Sequence, residues 1–182
     1  MEQQKYTFEN YEVNMYNRNA YETAKEFVKK KMKKGMMLGI YGLEGVGKTR
    51  LLQAIANYYK DIEPETVFYI SKEELKDEVE KVIKRKDIFL ISLKKKVKKA
   101  EVVCIDEIRE FLIDDRLKPW YMTWFYYCKR KKKRIIYTHD CDERMYATIG
   151  ALASLNPMVT VVGIPKEGQN RNLDIIREVE SV

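Results

Sequence analysis

Cysteine is scarce and histidine nearly absent: the 182 residues hold three cysteines and one histidine. Cys104, Cys128 and Cys141 form no C-x-x-C pair, so neither a zinc site nor a disulfide framework is indicated. No apolar run approaches the roughly 20 residues of a membrane span, and no signal peptide opens the chain. Linkers, repeats and low-complexity segments are also lacking. These absences leave a single cytoplasmic domain without a membrane partner as the expectation, of a size that supports a full core.

Charge is what the sequence has in quantity. Charged residues make up 35% of the chain and hydrophobic ones 45%, a soluble, globular balance. Lys and Arg outnumber Asp and Glu by 35 to 28, a formal net charge of +7. The excess is clustered in LKKKVKKA (93–100) and in Lys129, Arg130, Lys131, Lys132, Lys133 and Arg134. Basic clusters attract nucleic-acid phosphates. Both also stand directly before apolar strands, where charge suppresses aggregation, so the two explanations remain open at this level.

The strongest motif is Gly42-Leu43-Glu44-Gly45-Val46-Gly47-Lys48-Thr49, which fits the phosphate-loop pattern G-x-x-x-x-G-K-[ST]. A short apolar run, Met36 to Tyr41, reads as a buried strand before it. After it Leu51, Leu52, Ile55, Tyr58 and Tyr59 recur at helical spacing. Strand, glycine turn and helix are the context the motif requires. The glycines let backbone N–H groups approach phosphate oxygens, and the helix adds its positive end. Lys48 then reaches the β- and γ-phosphates, Thr49 offers a hydroxyl to magnesium, and the backbone through Arg50 lies against the nucleotide. The implied ligands are ATP or ADP with Mg2+.

Further strands are expected at Thr66–Ile70, 102–105, Ile135–Thr138 and Val159–Val162. Helices are expected at about 20–34, after the capping box Ser71–Glu74 with Leu75, Val79, Val82 and Ile83 inward, and around Leu117–Cys128. A last helix carries Met145, Ile149 and Leu152, with Asp140 and Glu143 as its caps. Strands alternating with helices predict an α/β fold, a five-stranded parallel sheet flanked by helices in three layers. The third strand ends in Asp106-Glu107. In nucleoside triphosphatases such a strand directs its first acid to the magnesium shell and its second to an attacking water as general base. That base, with no acceptor-binding lid in evidence, favours hydrolysis over phosphoryl transfer to another nucleotide. His139 stands at the end of the fourth strand, where a polar residue contacts the γ-phosphate or the water, and is the third catalytic candidate.

The chain resembles the ATPase domain of DnaC/DnaI-type bacterial helicase loaders, of the AAA+ superfamily. The resemblance rests on YTFENYEVNMYNRNAYETAKEFV (6–28), similar to an opening segment and helix shared with the initiator DnaA, then on GLEGVGKTRLLQAIANY, FYISKEEL, VVCIDEI and RIIYTHD in order. It implies one AAA+ domain over 1–182, with an adenine-side segment and helix (1–34) before the P-loop core (35–182). Tyr11, Glu12 and Val13 would lie near the adenine. Asp106 and Glu107 would take the magnesium and water roles, and His139 the first sensor role, where loaders usually carry Asn. Partners implied are a replicative helicase and single-stranded DNA. The family's arginine that reaches a neighbouring nucleotide has no match in IGALASL (149–155), Arg144 being the nearest substitute. A monomer with slow hydrolysis is therefore expected, self-assembly with ATP resting on Arg144. The sequence also opens almost directly at the ATPase core, without the loaders' helicase-binding region. An IstB-like transposition helper and a nucleotide-stabilised adaptor that does not turn over are the alternatives.

Overall fold

The computed structural model of the protein describes residues 5–29, 35–85, 95–111, 125–141 and 159–166. Five strands, β1 (Met37–Gly42), β2 (Val67–Ile70), β3 (Val102–Ile105), β4 (Arg134–Asp140) and β5 (Val159–Ile164), form one sheet in the order β2-β3-β4-β1-β5. Every pairing is parallel, with Met37 opposite Ile135 and Val159, and Val102 opposite Arg134. The described helices include α1 (Arg18–Lys29), α2 (Lys48–Ile62) and α3 (Lys72–Arg85). The expected α/β architecture with a flanked five-stranded parallel sheet is the one observed.

Alternation along each strand divides the core in two. Leu38 and Ile40 of β1, Val102 and Cys104 of β3 and Ile136 of β4 pack with Leu51, Leu52 and Ile55 of α2 and Ala24 and Phe27 of α1. Met37, Val103, Ile105, Ile135 and Tyr137 face the other way, against Leu75 of α3, Val97 and Cys128. A parallel sheet covered on both faces needs strands that are apolar throughout. That is why VVCI and the start of RIIYTHD read as continuous runs.

Local chemistry sets several boundaries. The capping box before α3 forms reciprocally: the Glu74 carboxylate accepts from Ser71 N at 2.9 Å and Ser71 Oγ accepts from Glu74 N at 3.1 Å. α1 starts at Arg18, two residues before the first expected position. Asn14 and Asn17 explain this, because Asn14 Oδ1 accepts from the backbone N–H groups of Tyr16 and Asn17. The helix at 125–130 ends with Lys132 N donating to Lys129 O and Lys133 N to Cys128 O. This is the Schellman closure, which places the residue at Lys132 in the left-handed region that favours glycine. Its φ is +55°. The side chains of Val79, Val82 and Ile83, the segment with Trp120 and Trp124, and the predicted helix with Met145, Ile149 and Leu152 lie outside what the structure describes.

Lys132→Gly should relieve this strain. A left-handed non-glycine residue costs roughly 1–2 kcal/mol, and the added freedom of glycine in the unfolded chain returns part of it. A net gain of about 0.5–1 kcal/mol is expected in urea unfolding with an unchanged denaturant slope.

A candidate nucleotide site at the carboxyl ends of the strands

β1 runs into the glycine loop and α2 at the carboxyl edge of the sheet, where β3 and β4 also end. A Cβ at Gly42 would come within 2.5 Å of the Ile164 carbonyl oxygen, so no other residue fits beside β5 there. Gly47 (φ +99°) caps α2, and a Cβ on it would meet the Tyr11 hydroxyl at 3.1 Å. Glycine at these two positions thus lets the loop pass close to β5 on one side and to Tyr11 on the other.

Three side chains and the backbone of Glu107 link loop and sheet in series. Thr49 Oγ1 donates to the Asp106 carboxylate at 3.0–3.1 Å. Thr138 Oγ1 donates to Asp106 Oδ1 at 2.6 Å and accepts from Glu107 N at 2.7 Å. Glu107 has φ +58°, left-handed strain of the kind found at functional sites. Its carboxylate accepts from Arg109 N at 3.3 Å and Asp140 N at 3.1–3.2 Å. Lys48, buried at the first position of α2, donates to Leu43 O at 2.8 Å and pairs with Asp140 Oδ1 at 2.5 Å.

The electrostatics separate the acids. Burial raises the Asp106 carboxyl above its ordinary range, only partly offset by the hydrogen bonds from Thr138 and Thr49. Burial also opposes ionisation of Asp140, but the hydrogen bond and charge of Lys48 outweigh it and hold this carboxyl low. Burial pushes the Tyr11 hydroxyl up to about 12.

A cleft of about 730 Å³ brings most of the predicted residues together: Tyr11, Glu12 and Val13 at one end, Glu44 through Arg50 along the loop, and Asp106 and Glu107 opposite. Its volume lies within the range of small-molecule pockets. Gly42 and Leu43 stand behind it, one forming the turn and the other lending its carbonyl to Lys48. The donor set suits magnesium, which is held by one or two carboxylates, hydroxyl oxygens and substrate phosphates rather than a full protein cage. Among the described residues no group of three or more His, Cys, Asp or Glu could hold a metal.

His139 is placed differently from the expectation. Alternation sends Thr138 and Asp140 into the cleft and His139 to the opposite face of β4, against Tyr41 with ring centroids 5.6 Å apart. There its Nδ1 lies 3.5 Å from Glu107 Oε1, behind the carboxylate. Asp140, read from sequence as a helix cap, occupies the cleft position instead, and Lys72 stands 3.8 Å from it. Ile136, Thr138 and Asp140 share one parity, a signal that could have identified them. Two predicted DNA contacts also fail: Lys133 and Arg134 are buried, Lys133 donating to the carbonyls of Lys98 and Ala100 and Arg134 to the Tyr59 hydroxyl. Arg144 lies outside the described residues.

Residues 2–152 match the family model described as the bacterial DnaA ATPase domain. The chain belongs to this family. The chromosomal replication initiator DnaA of Nautilia profundicola is 30% identical over 174 residues, covering 95% of the chain and 39% of that initiator. The chain thus spans well under half the length of this relative. Domain III of the Thermotoga maritima DnaA superposes with a TM-score of 0.68 at 27% identity, over 90% of this chain and 69% of that one. A replication initiator DnaA bound to AMPPCP and single-stranded DNA gives 0.68 at 24% identity, over 89% and 50%. The DnaI structure shares the fold at 0.64 and 21% identity, over 87% and 90%. The AAA+ resemblance therefore holds, with the DnaA domain as the family shown and the loaders sharing its fold. Among the described residues no helix is long and apolar enough to cross a membrane.

Because ionisation of buried Asp106 opposes folding, Asp106→Asn should raise the melting temperature of the ligand-free protein at neutral pH. The gain should shrink as pH falls toward the unfolded carboxyl value of about 3.9, where aspartate is protonated in both states. Thermal melts across pH check this. In the same variant, stabilisation by ATP should no longer respond to magnesium.

Proposed function

We propose that the protein binds ATP with magnesium in this cleft, hydrolyses it slowly, and uses the nucleotide state to govern binding of single-stranded DNA and a replicative helicase. The observation that carries the reading is the continuous chain Thr49–Asp106–Thr138–Glu107, which joins a phosphate loop to a paired-acid strand. Loop N–H groups and Lys48 would bind the phosphates. Thr49 and Asp106 would hold magnesium, whose charge would neutralise the β- and γ-oxygens. Tyr11, Glu12 and Val13 would border the adenine. Glu107 would accept the proton of the attacking water. Asp140 now satisfies Lys48, so a γ-phosphate competes with it and frees the end of β4. We assign the sensing role to Asp140 in place of His139, which would act through Glu107.

Kinship with DnaA supports a replication role over a transposition one, and the initiator bound to AMPPCP and single-stranded DNA supports the ligand classes. The helicase partner rests on the fold shared with DnaI. One observation favours the adaptor reading: two backbone N–H groups already engage the Glu107 carboxylate, occupying oxygen lone pairs that the proton of an attacking water would need. Self-association with ATP would depend on Arg144.

Calorimetry tests the site and turnover tests the chemistry. Lys48→Ala should abolish ATP binding, and unchanged affinity would remove the assignment. Glu107→Gln should keep ATP affinity and lower hydrolysis by about a hundredfold or more. Wild-type turnover no faster than this variant would establish the adaptor instead.

A further inference from the structure

The basic runs meet on a surface that the nucleotide cleft does not use. Each run leads directly into a strand, and β3 and β4 are parallel neighbours with Val102 opposite Arg134. Both runs therefore lie at the amino edge of the sheet, whereas the phosphate loop leaves β1 at the carboxyl edge. Buried Lys133 clasps them together, its ammonium donating to Lys98 O at 3.2 Å and to Ala100 O, while Arg134 N donates to Glu101 O at 2.9 Å.

What this clasp leaves outside is predominantly positive. Lys95, Lys96, Lys98 and Lys99 are exposed along the helical residues 95–99. Beside them Lys129, Arg130, Lys131 and Lys132 are exposed at the close of the helix at 125–130. Glu101 is the single acid in 95–101 and 129–134. These eight cations outnumber the formal net charge of +7. Tyr126 is 61% exposed and shares a helix face with Lys129 and Arg130 at the i+3 and i+4 positions.

We propose that this edge is a single-stranded nucleic-acid surface, with cations from both runs on the phosphates and Tyr126 stacking on a base. Cations interleaved with an aromatic platform are the recognition chemistry of single strands. An anionic membrane would call for an apolar wedge, but within 95–101 and 125–134 Tyr126 is the only large hydrophobic residue exposed. The surface is separate from the cleft, and its ligand rests on the single-stranded DNA binding proposed above: no binding by the wild-type protein would overturn that reading, whereas an unchanged slope in a variant would overturn this surface alone.

Fluorescence anisotropy of the full chain with labelled oligothymidylate, without nucleotide and over a range of salt, tests it. Replacing Lys129, Lys131 and Lys132 by Gln should reduce the slope of log affinity against log salt by about 2, and replacing Lys95, Lys96, Lys98 and Lys99 by about 3. Tyr126→Ala should lower affinity at least about fivefold with the slope unchanged. Circular dichroism verifies that these surface variants fold. An unchanged slope in either lysine variant would overturn the composite surface. Tighter binding to phosphatidylserine vesicles than to the oligonucleotide at equal salt would overturn the choice of partner.

Discussion

The hydroxyl of Thr138 is the point on which the site depends. It donates to Asp106 and accepts from the backbone of Glu107, so one side chain on β4 orients the two acids at the end of β3. Asp106 in turn receives Thr49, which ties that arrangement to the start of α2. This is possible only because β4 lies between the phosphate-loop strand and the acidic strand. An intervening strand supplies polar groups from its own carboxyl end. Without it, loop and acids would face each other directly.

Such an arrangement sets charge against packing. Lys48, Asp106, Glu107 and His139 are all buried, and burying charge is unfavourable unless partners compensate. Here compensation comes from neighbours already in place: Asp140 for Lys48, two threonines for Asp106, backbone N–H groups for Glu107. Thr138 and the backbone N–H groups, fixed in advance, need not reorganise when a charged ligand arrives, which is the physical basis of electrostatic preorganisation, whereas the Lys48–Asp140 pair has to open. The left-handed backbone at Glu107 belongs to the same account, local strain held by surrounding hydrogen bonds.

Most of the sheet was legible because a parallel sheet buried on both faces requires unbroken apolar runs, and VVCI, VFYI and MLGIY carry that mark. The phosphate loop was legible because glycine spacing and Lys48-Thr49 have few other structural uses. His139 was assigned by its place at the end of the fourth strand and by the family's sensor position, and Asp140 as the cap of a following helix. Which of two adjacent residues faces a cleft is a matter of strand parity, and extending the alternation from Ile136 would have chosen Asp140. The basic run 129–134 was read as uniformly exposed. Its last two members turn inward because the Schellman closure at Lys132 brings Lys133 under the adjacent carbonyls and the strand begins at Arg134. Charge counts cannot reveal that. Competition between a helix end and a strand start can.

The strand order has a consequence for how the molecule is made. Among the described strands β1 comes first along the chain, yet its neighbours are β4 and β5, the last two. The phosphate loop therefore leaves the ribosome long before either strand that flanks its base. At about 5–20 residues per second, the interval between Gly42 and Ile164 lasts roughly 6–24 s. Until β4 emerges, neither of the strands that flank the Met37–Tyr41 segment is present. Among the described residues the last to line the cleft is Asp140, so ligand-assisted folding must wait for β4, and β5, whose Ile164 carbonyl packs against Gly42, covers the loop's other flank only afterwards.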